Sequence, residues 1–408
     1  MAQTAAYFGQ DVLKEAQRLK EAGRDANQIA NILCQKDPEG HNYGIGIILG
    51  GDGRPVESSA TLTAYAKKEI EASARGSYMN SAKILPAFKE EVLRWQRIPE
   101  AHWEDLIVAI PSDAGTGAVC SAVQFAAMAD PSLGTLAIER LGWPAYTAIA
   151  KAARLGVKEF PSQGVVEERD VLPIYQAGPM NSTGEIPRRP GVEARAEQAA
   201  SSGRLVVLDR AYSGFEYARN MDVVGYDGAM RRSYELQLEP FFRKKAPFAL
   251  ALSPTKAFVT FALRPCGVLL VHEPDPEKRG QAGVLLTALI RSRGSAFEHP
   301  LTRAFVKAMA ESRASLEKEH EAALRRVAEA EASWRRLAAG TPLAPHFTDR
   351  FAGLFRNLES SAEAPARLYQ KHLYPVFPGG RCRLNVTGLP SDESLARRHV
   401  DAFAEACS

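Results

Sequence analysis

A lysine set in an apolar run carries the most chemical promise in this chain. Lys256 lies in LSPTKAFVTFALRPCG (252–267), beside Ala257, Phe258, Val259, Phe261, Ala262 and Leu263, and GVLLV (267–271) then reads as a buried strand. Burying a lysine is costly. The side chain either snorkels to the surface or is kept unprotonated by desolvation, the condition that makes Schiff-base lysines. Other polar residues fall where apolar strands end, which is where open α/β sheets bind ligands. Asp209 closes RLVVLD, and Tyr212 follows in DRAYSGF. Asn181 follows the run that reaches Ala177, in MNSTG. Gly115, Thr116 and Gly117 come after LIVAIPSDA and open a helix, whose free N–H groups and dipole suit a phosphate. Arg264, eight residues after Lys256, adds a guanidinium that matches phosphate geometry.

Each signal alone has a plainer explanation. A lone lysine more often snorkels, Gly-Thr-Gly is commonly a tight strand-to-helix turn, and Asp with Tyr-Ser-Gly is a common turn former. Asn181 to Gly184 reads as a turn or a helix cap, Trp143 before Pro144 as a packing residue, and Arg291 with Arg293 as a solvated pair.

The elements that must position these residues alternate. Strands are expected at 106–112, 165–178, 204–209, 246–253 and 267–273, with helices at 115–129, 143–153 and 189–202 between them. That order is an α/β domain with a mostly parallel sheet. One helix is expected over 10–35, a glycine-rich loop with a short strand over 43–55, and helical pattern again from about 58 to 95. A single long helix is expected over 299–340, stopped by Gly340 and Pro342, and its plain reading is a solvated amphipathic connector. RCRLNVTG (381–388) reads as a strand in a mixed C-terminal region.

Composition narrows the class. The chain has 408 residues, so two domains are the default. Its 45% apolar and 24% charged residues are those of an ordinary soluble globular protein. A net charge of +3 without a basic stripe gives no sign of nucleic acid, and no apolar run is long enough for a membrane helix. The five cysteines are scattered and odd in number, which argues for a reducing cytoplasm and against a zinc site or a disulfide framework. The histidines form no ligand pair, so no metal is expected.

Taken in order, the motifs resemble the aspartate aminotransferase family, the class I aminotransferases of fold type I that use pyridoxal 5′-phosphate. The resemblance rests on Asn42-Tyr43-Gly44-Ile45-Gly46, D-G-R-P at 52–55, Tyr78 in GSYMNSAKIL, and Ala114 to Ala118 for the phosphate loop. It continues through Trp143-Pro144, N-S-T-G at 181–184, DRAYSGF at 209–215, the set Ser253, Lys256, Arg264 and Gly267, and R-x-N-x-x-G-L from Arg383 to Leu389. It implies a large cofactor domain over 52–305 with a mostly parallel, mixed seven-stranded sheet, and a smaller α+β domain of 1–51 with 306–408. It further implies that Lys256 holds the cofactor as a Schiff base and then moves the proton at Cα. Asp209 would pair with the pyridine nitrogen, Tyr212 and Asn181 with the ring oxygen, and Trp143 would stack on the ring. Gly115, Thr116, Ser253, Thr255 and Arg264 would hold the phosphate. Gly46, Trp143 and Asn181 would border the substrate, and Arg383 would clamp its α-carboxylate. A homodimer is implied, Tyr78 reaching the phosphate and Arg291 the substrate side chain from the second subunit.

The departures lie mostly in the substrate region. Ser182 stands in place of a proline, leaving the peptide geometry there open, and Ala114 replaces a phosphate-loop serine. Lys256 is followed by an apolar run, and Ile47 and Ile48 replace an aromatic and an arginine. The leading expectation is an aminotransferase acting on a dicarboxylic or aromatic amino acid and a 2-oxo acid. The alternative is a pyridoxal phosphate enzyme that uses the same carbanion for elimination, replacement or C–C bond formation. A non-catalytic cofactor-binding regulator is disfavoured by the intact Lys, Asp, Tyr and Arg set.

Overall fold

Strands rich in Val, Leu and Ala can bury both faces only when helices cover them, and the central apolar runs of this chain do so. The computed structural model describes residues 10–73, 83–110, 113–294 and 299–407. The chain divides into two compact units. The smaller comprises Met1–Val56, Met180–Ile186 and Arg325–Ser408, the larger Glu57–Pro179 and Pro187–Leu324. Strands are labelled in chain order: β1 (His41–Asn42), β2 (Leu106–Ala109), β3 (Thr135–Glu139), β4 (Gly156–Phe160), β5 (Val171–Gln176) and β6 (Val206–Arg210). There follow β7 (Phe248–Leu252), β8 (Val268–His272), β9 (Phe355–Glu359), β10 (Leu373–Tyr374) and β11 (Arg381–Asn385).

In the larger unit one seven-stranded sheet runs in the order β2-β8-β7-β6-β5-β3-β4. Neighbours are parallel except at β8, which is antiparallel to both β2 and β7. This is the mixed, mostly parallel α/β sheet expected. Every residue of β5, β6, β7 and β8 is buried. Helix Ala114–Ala129 covers one face through Val119, Ala122, Val123 and Phe125. Trp95, Tyr234, Phe241, Phe258 and Phe305 fill a second core cluster. Full burial of each such side chain contributes roughly 1.5–3 kcal/mol. Asp209 lies opposite Gln176 of β5 and Ala251 of β7, so three strands end level beneath the polar residues.

Several expectations are corrected. The helix expected over 10–35 is two helices, Gln10–Glu21 and Ala26–Lys36, because Gly23 takes φ +78° and Asp25 caps the second by accepting from Gln28 N. Within 58–95 the described residues form the helices Ala60–Ser73 and Leu85–Trp95. Strands β3 and β4 were not expected; both are short, and four of the five residues of β4 are exposed. The long helix, Pro300–Leu337, leaves helical geometry at Ser312 and is no solvated connector. Phe305, Met309 and Leu316 are fully buried in the larger unit's core. In the smaller unit, Trp334 stacks on Phe347 and donates its indole N–H to Val386 O at 2.9 Å. There β9 pairs antiparallel with β11, and β1 parallel with β10. Among the described residues no helix is long and apolar enough to cross a membrane.

Candidate active site

The larger unit carries most of the chemistry-bearing residues at the carboxyl ends of β6 and β7. β7 runs into a one-turn helix, Pro254–Ala257, with Ser253 at its cap and Pro254 fixing its first turn. Lys256 sits on this turn, half-buried, its Nζ 4.7 Å from the centre of the Phe261 ring. The apolar run after the lysine thus supplies a ring face to its amine.

Beside this turn is an anion cradle. A Cβ on Gly115 would come within 2.5 Å of the Ser253 Cβ and Oγ, so only glycine lets the helix start approach so closely. Gly267 is equally constrained, since a Cβ there would lie 2.0 Å from Ala114 O, which accounts for the glycine three residues after Arg264. Asp113 precedes the helix without a side-chain cap bond, so the first N–H groups of Ala114–Ala129 are not taken up by it. Thr116 is exposed in that first turn. The Thr255 Oγ1 is buried without a hydrogen-bond partner among the described residues, an arrangement native proteins rarely keep without a ligand or water to fill it. Arg264 is exposed, its backbone at φ +39° and its N–H bonded to Thr260 O at 2.8 Å. This donor set fits a phosphate monoester.

Asp209 is 8% exposed, and Tyr146 donates to its Oδ2 at 2.5 Å. Burial raises the Asp209 carboxyl to about 6, against the pull of the Tyr146 bond in the other direction. Burial and the neighbouring Asp209 in turn push the Tyr146 phenol well above its ordinary value, so it remains a donor. A carboxylate held this way fits a cationic ring N–H. Trp143 is half-buried and meets the Tyr146 ring edge-to-face at 5.3 Å. Tyr212 is buried, its ring edge-to-face with Phe215 at 5.6 Å. Tyr146, in the first turn of the helix Ala145–Ala152 that follows Trp143-Pro144, is a candidate site residue that the motifs did not single out.

The smaller unit holds Gly46, Asn181 and Arg383. Arg383 is buried on β11, its Nη2 donating to Asn27 Oδ1 at 2.5 Å and to Gly44 O at 3.0 Å, its guanidinium carbon 4.6 Å from the Phe355 ring centre. The loop holding Gly46 is fixed from both ends of the sequence. Asn42 Oδ1 accepts from Gly44 N and Ile45 N, while Asn385 Nδ2 donates to Ile45 O and Ile47 O at 2.7 Å. The Asn181–Ser182 peptide is cis. Ser182 Oγ accepts from Asn357 Nδ2 at 2.8 Å, and Asn357 is the cross-strand neighbour of Arg383. Ser182, next to Asn181, and Arg383 therefore meet the same position of β9.

Of the two helical arginines, Arg291 is exposed, whereas Arg293 donates to Ser121 Oγ and to Gly117 O within its own chain. Tyr78 lies outside the described residues.

The family model described as aminotransferase class I and II matches residues 44–339. A search of curated proteins finds no match. Among solved structures, the aromatic-amino-acid aminotransferase of Burkholderia pseudomallei, covalently bound to pyridoxal phosphate, superposes with a TM-score of 0.78 at 19% identity, over 94% of this chain and 97% of that one. The aspartate aminotransferase of Trypanosoma cruzi gives 0.72 at 21% identity, over 94% and 96%. The broad specificity aminotransferase of Leishmania mexicana gives 0.72 at 19% identity, over 93% and 95%. At these identities the structural likeness speaks for the fold, and the family match extends over most of the chain. The chain belongs to the class I and II aminotransferases.

Proposed function

We propose that this protein passes the amino group of an aspartate-type or aromatic amino acid to a 2-oxo acid, with pyridoxal 5′-phosphate held on Lys256. Membership of the family makes it a pyridoxal phosphate-dependent transferase with aminotransferase activity. The observation that carries the assignment of residues is the strand-end shelf of the larger unit. There Lys256 shares one turn with Ser253 and with the buried, unpartnered Thr255 hydroxyl, while Asp209 is desolvated beneath the Tyr146 phenol.

The bound cofactor supplies an electron sink for the pair left at the substrate Cα. The protein's residues do the rest. Lys256 Nζ would hold the cofactor and would take the proton from the substrate Cα as a positioned base. Asp209 keeps the ring nitrogen protonated, and Tyr212 and Asn181 donate to the ring oxygen. Trp143 fixes the ring plane. Gly115, Thr116, Ser253, Thr255 and Arg264 orient the phosphate. Arg383 takes the α-carboxylate as a two-pronged donor, with Gly46 at the substrate's border.

Two copies complete the site, Tyr78 and Arg291 of one serving the other. Arg293 is occupied within its own chain, which favours Arg291 for reading a distal carboxylate. A cytoplasmic setting agrees with five cysteines in the free state.

The test is the visible absorption of the cofactor-loaded protein during addition of single amino acids. Bleaching by aspartate or glutamate supports the dicarboxylic reading and the role of Arg291. Bleaching by phenylalanine or tyrosine alone supports the aromatic one. No bleaching by any of the four overturns the substrate proposal, and an active monomer in sedimentation overturns the shared site.

A further inference from the structure

We infer that Arg210, the residue directly after Asp209, is a positioning residue that sets the cofactor shelf from behind the sheet. The inference rests on the pyridoxal phosphate reading above. Successive side chains of a strand face opposite ways: Asp209 meets Tyr146, whereas Arg210 is turned into a separate polar cluster and is 0% exposed. Its Nε donates to Gln96 Oε1 at 2.6 Å, Nη1 to Ala177 O at 3.1 Å and Nη2 to Ser233 Oγ at 2.8 Å.

Each arm leads, directly or through the residue it meets, to a segment that carries or adjoins a shelf residue. Ala177 ends the run after β5, and its N–H bonds Asp209 O at 2.7 Å. Gln96 Oε1 also accepts from Ser213 Oγ, and Ser233 Oγ from Gly214 N, which pins the two residues after Tyr212. The backbone carbonyl of Arg210 accepts from Ser253 N at 3.4 Å, at the cap of the turn that bears Lys256. The guanidinium thus ties the exit of β5 to the segment after Tyr212, while the backbone of the same residue meets the exit of β7.

Stability alone does not account for such a residue. A fully buried cation is expensive, and replacing it by an apolar side chain of similar volume is often neutral or stabilising. Its countercharge, Glu216, is reached through Ser233, whose hydroxyl donates to Glu216 Oε1 at 2.7 Å. Desolvation brings the Arg210 guanidinium down to about 10, which leaves it cationic at neutral pH. What the arginine adds over a hydrocarbon is a planar fork of donors with fixed directions.

The experiment compares the wild type with Arg210→Lys and with the double variant Arg210→Met/Glu216→Gln, which removes both charges. Three quantities are read: melting temperature of the cofactor-free protein, the dissociation constant for pyridoxal phosphate, and the visible circular dichroism of the bound cofactor, which reports ring orientation. A positioning role gives a double variant that melts no lower than the wild type by more than a few degrees, yet binds the cofactor at least tenfold more weakly and with altered dichroism. Arg210→Lys, lacking the fork, shows the same loss of affinity. Unchanged affinity and dichroism in the variants that fold, whatever their melting temperature, overturn the inference; should the double variant not fold, Arg210→Lys decides. Failure of the wild type to bind pyridoxal phosphate would instead overturn the functional reading itself.

Discussion

The strand-end shelf of the larger unit and the carboxylate clamp of the smaller one hold their polar groups by different physical means. On the shelf, Asp209 and the Ser253–Lys256 turn continue strands that are buried on both faces, and their places follow from the register of the sheet. In the clamp, the loop from Asn42 to Ile47 is held by side-chain amides, Asn42 from within and Asn385 from 338 to 340 residues away, and Arg383 is steadied by Asn27 and Gly44 O. Register is all or nothing, because a one-residue slip reverses every side chain. Amide bonds contribute about 1 kcal/mol each and can be exchanged singly. A cofactor common to a family suits the first kind of support, and a substrate that varies suits the second. Of the residues that depart from the family pattern, Ser182, Ile47 and Ile48 lie in or beside the second, whereas Ala114 and the apolar run after Lys256 belong to the first.

The largest effect expected is on the shelf. Lys256→Ala removes both the covalent link and the proton carrier, so turnover falls by about 10²–10⁴-fold or more. Mass spectrometry after borohydride reduction should find the cofactor fixed to the wild type and absent from the variant. Near-normal rates would remove the shelf from the chemistry altogether.

Asp209→Asn has the next largest effect, on the stability of the cofactor-free protein, and its sign depends on pH. In the folded protein the carboxyl titrates at about 6, in the unfolded chain near 3.9. Between these values the unfolded state is ionised while the folded state is still protonated, so unfolding releases a proton and stability falls as pH rises. Above about pH 6 the whole cost of a desolvated carboxylate is present, about 3 kcal/mol. The cofactor-free asparagine variant should therefore exceed the wild type by up to that amount near pH 8 and match it near pH 4. Urea melts at the two pH values measure it, and equal curves at both would show that burial does not raise this carboxyl.

Arg383→Lys tests the clamp. The charge stays and the fork is lost, so KM for amino acids should rise roughly tenfold, about one charge-assisted hydrogen bond, with no change in cofactor affinity. A matching loss of cofactor affinity would mean that the two regions are not separable.

How far the residues disclosed this arrangement follows the same division. Runs such as VVLD, FALAL and VLLV were legible because two-sided burial leaves an unbroken apolar string. β4, GVKEF, was not, since four of its five residues are exposed and edge strands carry charge. The break at Gly23 and Asp25 is written as a turn glycine followed by a capping residue, between two stretches that each read as helix. The long helix misled for a related reason: its Ala, Glu and Arg content looks solvated, and only packing distinguishes Phe305 or Trp334 from an exposed stripe. Motif spacing exposed Asp209 and Lys256 but could not reveal Tyr146 over Asp209 or Asn385 on the Ile45 carbonyl. Those are contacts between distant positions, made by residue types that serve ordinary packing and turns everywhere else.

The smallest effect separates the shelf's ligand groups from its packing. Thr255 and Thr260 lie five residues apart, and both have a buried Oγ1 with no hydrogen-bond partner among the described residues. In the cofactor-free protein each should be destabilising, so Thr255→Val and Thr260→Val, which keep the shape, should each raise stability by about 1 kcal/mol. They should differ once pyridoxal phosphate is added. The Thr255 hydroxyl shares the Lys256 turn with Ser253, and a hydrogen bond to a charged phosphate contributes about 1.5–3 kcal/mol. Thr255→Val should therefore weaken cofactor binding by roughly tenfold or more, while Thr260→Val leaves it unchanged. Equal losses in both would make the loop as a whole, rather than one hydroxyl, the phosphate's support. No loss in either would leave Ser253 and the backbone of Gly115 and Thr116 to hold the phosphate without help from Thr255.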